Sequence, residues 1–138
     1  MAFSVKERSE YFRGLLLLIS KDRKITDAET ILMKRIGKAL GFEKEFCENA
    51  ILEILENRFI VDDPPEFPTH GLAMKFVRDG LTLAAADGET NGFEEEWLRA
   101  AVEKNKLDAE WFVQEKELAI RRKRDCDVHL EVYDLTEW

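Results

Sequence analysis

Apolar residues return every three to four positions along this chain, in six stretches divided by short polar turns. That is the period of amphipathic helices. The first stretch, from about Val5 to Ser20, carries Tyr11, Phe12, Leu15, Leu16, Leu18 and Ile19. So dense a run predicts a central, largely buried helix. A second helix is predicted from Asp27 to about Leu40, with Ile31, Leu32, Ile36, Ala39 and Leu40 as apolar positions and Gly41 as its stop. A third begins near Glu43 and carries Phe46, Ala50, Ile51, Ile54 and Leu55. Pro64, Pro65 and Pro68 then break the pattern, because proline removes a backbone donor and clashes inside a helix. A fourth helix is predicted from near Thr69 to Ala86, with Leu72, Phe76, Val77, Leu81 and Leu83 facing inward. The fifth covers Gly92 to about Lys104 with Trp97, Leu98, Ala101 and Val102, and the sixth Asp108 to about Arg121 with Trp111, Phe112, Leu118 and Ile120. In the tail from Asp125 to Trp138, Val128, Leu130, Val132 and Leu135 nearly alternate, which fits a short strand or an extended segment pinned on the surface.

The pattern repeats. A shift of 65 residues lays Leu16 on Leu81, Leu18 on Leu83, Asp22 on Asp87, Glu29 on Glu94 and Glu45 on Glu110. Similar residues also meet, among them Thr26 with Asn91, Lys34 with Arg99, Leu32 with Trp97 and Phe46 with Trp111. A period of this length signals a duplicated helical unit. The expected fold is all-α, a bundle of two pseudo-symmetric three-helix repeats. Repeat one spans about 5–60, the linker 61–68, repeat two about 69–124 and the tail 125–138. Each half is too small to bury its own apolar face, so 1–138 is read as a single domain.

Composition narrows the function. The 138 residues include 21 Lys and Arg against 29 Asp and Glu, a net charge of −8. Nucleic-acid binders need the opposite sign, so none is expected as a partner. The basic run Arg121-Arg122-Lys123-Arg124 reads as charge at the negative end of a helix dipole. Two cysteines, Cys47 and Cys126, make no disulfide framework, and the first residues carry no signal-peptide core. No apolar run approaches the roughly 20 residues that span a bilayer. The expectation is a soluble, cytoplasmic protein that does not insert into membrane.

The acids in the turns have two readings. In the structural one, Thr26-Asp27-Ala28-Glu29 is a capping box, and Asn91-Gly92-Phe93-Glu94 is the same device. Asp22 and Asp87 then bond amides in the turns, and Gly88 supplies a positive φ. In the functional one, Asp87, Glu89, Asn91, Glu94, Glu95 and Glu96 supply oxygen ligands for calcium or magnesium. The segment opens like an EF-hand loop but places Leu98 where the bidentate Glu should stand, so the site would be looser than an EF-hand. A zinc site would need Cys47, His70, Cys126 and His129, whose spacing lacks the usual paired motifs. No nucleophile–histidine set and no phosphate loop is present in the pattern.

The segment Gly80-Leu-Thr-Leu-Ala-Ala-Ala-Asp-Gly-Glu-Thr-Asn-Gly-Phe-Glu-Glu-Glu-Trp-Leu98 resembles the "alanine, Asp-Gly, then Glu" signature of the tellurite-resistance TerB-like domains, which is related to the opening segment of DjlA-type co-chaperones. The likeness covers about residues 5–122. The first repeat departs from it, with Lys21-Asp22-Arg23 in place of Ala-Asp-Gly. The resemblance implies an all-helical domain of two related halves in a bacterial stress-response system. It implies a non-enzymatic module with a protein partner, in a membrane-associated setting for some members. Its acids would hold a divalent cation, Ca2+ or Mg2+. Carried over, the metal candidates are Asp22, Glu29, Asp87, Glu89 and Glu94. The alternatives are a pure interaction scaffold whose acids only cap helices and a small metal-dependent hydrolase.

Overall fold

A computed structural model of the chain describes residues 4–21, 25–56, 63–86, 92–124 and 130–131, with no strand among them. They form α1 (Val5–Ile19), α2 (Asp27–Ala39), α3 (Lys44–Glu56), α4 (His70–Ala84), α5 (Gly92–Lys104) and α6 (Ala109–Arg124). The helices start and stop where side chains can satisfy the unpaired backbone groups of a helix end. Ser4 Oγ accepts the Glu7 N–H at 3.1 Å, and Thr69 Oγ1 accepts the Leu72 N–H at 3.2 Å. α2 closes through Gly41 at φ 90°, with Phe42 N donating to Gly37 O at 2.9 Å. α5 closes the same way through Lys106 at φ 57°, with Leu107 N donating to Val102 O at 2.9 Å. This left-handed closure is routine for glycine and costs a residue with a Cβ on the order of 1 kcal/mol.

α1 and α4 pack on each other at the centre. α1 also touches α2, α3 and α5, and α4 touches α2, α5 and α6, while α2 packs on α3 and α5 on α6. Five consecutive residues of α1, Leu15 to Ile19, are all buried, because neighbours surround that end of the helix. Burying each such side chain contributes about 1.5–3 kcal/mol. Gly14 lets the α4 ring of Phe76 and the connector residue Pro65 approach closely: a Cβ there would lie 2.7 Å from the ring and 2.9 Å from Pro65 Cγ.

The starts of α1, α2 and α3 recur 65 residues later as the starts of α4, α5 and α6 (70 − 5, 92 − 27, 109 − 44). Exchanging α1, α2 and α3 with α4, α5 and α6 turns the set of packed helix pairs into itself. Not every apolar position read from the sequence reaches the interior. Ile31, Phe46, Leu55, Leu118 and Ile120 stand at the surface. For the last four the cause is placement: α3 and α6 are outer helices that touch two others each, so only one side of each is covered, while Ile31 lies on the outer side of α2. Trp111 is half-buried beneath the Arg78 guanidinium, 5.6 Å from its ring centre. No helix among the described residues is long and apolar enough to cross a membrane.

Candidate functional site

Thr26 ends the α1–α2 turn in an extended conformation (φ −76°, ψ 163°) and caps α2. Its Oγ1 accepts the Glu29 N–H at 3.2 Å, and its own N–H donates to Glu29 Oε1 at 2.9 Å. The Thr26 hydroxyl lies 3.1 Å from the same carboxylate oxygen. This is a complete capping box. The Glu29 side chain is only 3% exposed, and its negative charge sits at the positive end of the helix dipole. Glu94, 65 positions on, is the third residue of α5 and is also 3% exposed. The capping partner expected for it, Asn91, lies outside the described residues, as do Asp22, Asp87 and Glu89.

The structure therefore places two of the five metal candidates, each as a buried carboxylate in the first turn of a helix. Among the described residues, no group of three or more His, Cys, Asp or Glu side chains could hold a metal ion. Glu95 is turned to other work. It takes Lys116 Nζ at 2.6 Å and Arg99 at 3.2 Å, joining α5 to α6. The bond from Lys116 is the main reason its carboxyl sits below the usual range. Lys21, the last described residue before the first turn, lies 5.9 Å from the ring centre of Trp97 on α5, so the start of that turn leans on the other half of the chain. Cys47 is buried, and burial pushes its thiol up. His70 is exposed at the start of α4, and Cys126 and His129 lie outside the described residues.

Sequence reasoning missed the most deeply buried acid. Asp79, in the middle of α4, is fully buried. Its Oδ2 accepts the Tyr11 hydroxyl at 2.7 Å and its Oδ1 the Glu131 N–H at 2.6 Å. Burial first, then the Asp79 charge, push the Tyr11 phenol well above its ordinary value. Arg78 reaches Glu115 at 3.3 Å and Glu131 at 3.4 Å. Together with buried Leu130, these bonds pin residues 130–131 of the tail to α4. The signal was present, since Asp79 falls on the inward stripe of α4, three residues after Phe76 and four before Leu83. Asn105 was missed too. Its side chain accepts the Phe67 N–H at 2.8 Å and donates to Pro65 O and Ala101 O, each at 2.9 Å. It thereby fastens the proline connector to the end of α5.

These arrangements hold helices and segments in place. A cap, a connector clamp and a tail anchor each use buried polar groups whose described partners are other parts of the protein. Compared with known protein families, with curated proteins and with solved structures, the chain matches none.

Proposed function

We propose that this chain is a non-enzymatic, TerB-like helical module built as two three-helix repeats, and that it acts by binding a protein partner in a stress-response setting. Support for the repeat comes from the 65-residue recurrence of all three helix starts, the matched Ser4 and Thr69 caps and the matched closures at Gly41 and Lys106. The observation that carries the functional reading is the state of Glu29. Its carboxylate is buried and bonded to its own cap, so it serves the helix joint. On this reading the glutamates of the signature build a rigid scaffold, and recognition falls to exposed surface. The remaining alternative is a small metal-dependent hydrolase, which turnover of phosphoester or peptide substrates with added metal would establish.

A second reading keeps Ca2+ or Mg2+ at the turns. It is favoured by one observation: Glu29 and Glu94 are both buried, in equivalent places, each a few residues after a turn segment that carries candidate acids, Asp22 in the first and Asp87 and Glu89 in the second. Glu29→Ala and Glu94→Ala separate the two. Each is expected to lower stability by about 0.5–2 kcal/mol as a lost cap. The scaffold reading expects the melting temperature of the wild type to stay fixed up to millimolar Ca2+ or Mg2+. A rise on adding either ion, lost in both variants, would replace the scaffold reading with the cation reading, because a ligand that binds only the folded state stabilises it.

A further inference from the structure

The protein is strongly acidic, yet four cations gather in one place. Between α2 and α3 lies a groove of about 420 Å³, lined by Lys34, Arg35, Lys38, Phe42, Lys44 and Cys47. Its lining surface is overwhelmingly apolar. The lysine stems contribute to such surface while their ammonium groups stay in water. Lys38 neighbours both Lys34 and Arg35 on α2, at spacings of four and three residues, and all three line the groove. Glu48 pairs with Lys34 at 3.4 Å and with Lys44 at 3.9 Å. Among the described residues Glu48 is the one carboxylate that ion-pairs with any of these four cations, and Glu43 and Glu45 flank Lys44 in sequence. Arg35 and Lys38 are exposed and have no ion-pair partner among the described residues.

The groove also has an aromatic lip. Phe42 is partly buried, with its ring centre 5.5 Å from that of Phe12 and 5.2 Å from that of Phe46. Phe46 is 52% exposed. The apolar floor, with Arg35 at its edge and the exposed Phe46 ring beside Phe42, offers the arginine and aromatic contacts found at protein-binding hot spots, and the lysines add charge. The charge selects the partner. In a molecule of net charge −8, a groove rimmed by two free cations attracts carboxylates and repels basic segments.

We propose that the α2–α3 groove docks an acidic segment of a partner protein, with a large apolar side chain seated on Phe42 and its flanking carboxylates on Arg35 and Lys38. A volume of about 420 Å³ takes one or two large side chains. The site is a different surface from the acidic turns and does not rest on how those turns are read.

The test uses a fluorescein-labelled decapeptide with Trp-Leu at its centre and Asp and Glu on both sides. Fluorescence polarisation with the full chain should show saturable binding that weakens as salt rises from about 0.05 to about 0.3 M. The double variant Arg35→Glu/Lys38→Glu should weaken binding by about tenfold or more, with an unchanged melting temperature because both side chains are exposed. The neutral pair Arg35→Gln/Lys38→Gln should give the same ranking with a smaller loss, which covers the case that charge reversal harms folding. A peptide with Ala-Ala at its centre, or with Lys in place of the acids, should bind much more weakly. Amide signals of Lys34, Arg35, Lys38 and Lys44 should move in the titration. The proposal is overturned by no binding at millimolar peptide, by equal binding to the charge-reversed variant, or by shifts confined to other helices. Cation-dependent retention on phosphatidylglycerol vesicles with no peptide binding would also overturn it, and would assign the groove to lipid.

Discussion

Changing Tyr11 to Phe removes one oxygen from the centre of the protein and tests whether Asp79 is held as the structure shows. The lost hydroxyl donates at 2.7 Å to a fully buried carboxylate. A hydrogen bond to a charged group contributes about 1.5–3 kcal/mol, so Tyr11→Phe should destabilise by roughly 2 kcal/mol. Asp79→Leu should cost more, about 3–5 kcal/mol, because it strands the Tyr11 hydroxyl in the interior and takes the acceptor from the partly buried Glu131 N–H. Urea titrations with a constant slope give both values from the midpoints. The double variant should then cost less than the sum of the two, since the pair can be lost only once. A coupling below about 0.5 kcal/mol would mean that the bond is absent or worthless. The pH dependence gives an independent reading. The Tyr11 phenol is raised in the folded state above the ordinary value of 10.0. Its contribution to stability is therefore fully present below about pH 10. As pH climbs past that point the unfolded chain sheds a proton that the folded chain keeps, so stability falls. Tyr11→Phe lacks this component. The stability gap between wild type and variant should shrink between about pH 9 and pH 11, and a gap that stays constant across that range would refute the assignment.

Asn105→Ala should destabilise by about 3 kcal/mol, because Phe67 N and Pro65 O lose their buried partner. Thermal melting checks the size, and faster proteolysis between residues 57 and 69 checks the location. Gly14→Ala should cost about 1–3 kcal/mol, since the new methyl meets the Phe76 ring and the Pro65 ring, neither of which can fold away. Gly71→Ala, in the same type of helix but with open space around it, should instead stabilise by about 0.5–1 kcal/mol. Equal signs for the two glycine variants would contradict the packing described at the α1–α4 crossing.

Much of the helical order was legible because it is local. The stripe Leu72, Phe76, Leu83 and the break at Pro68 place α4 within two residues of its observed ends, and the expected ends of α5 are the observed ones. α6 runs three residues past the expected Arg121, through a basic stretch with good helix propensity. What could not be read are the polar contacts between distant segments. Tyr11 and Asp79 are 68 positions apart, and Asn105 finds partners 38 and 40 positions away. No periodicity within a helix encodes such pairs. The surface position of Phe46 was hidden for a related reason, since a single helix shows its apolar residues but not how many neighbours will cover them. The basic groove escaped notice because its cations look like an ordinary solvated face until α3 is laid beside α2. Of the acids in the turns, the cap at Glu29 was readable from its four-residue motif, and Glu95 was not, because its partner Lys116 belongs to another helix.

The placement of α1 and α4 also bears on how the chain is born. When Ile19 leaves the ribosome, the helix that will cover it has not been made, and synthesis must advance to Ala84, another 65 residues (84 − 19), before that cover is complete. At about 5–20 residues per second, the leucines of α1 spend several seconds without their native neighbour. The yield of such a chain in a cell should respond to translation speed more than its modest size would imply.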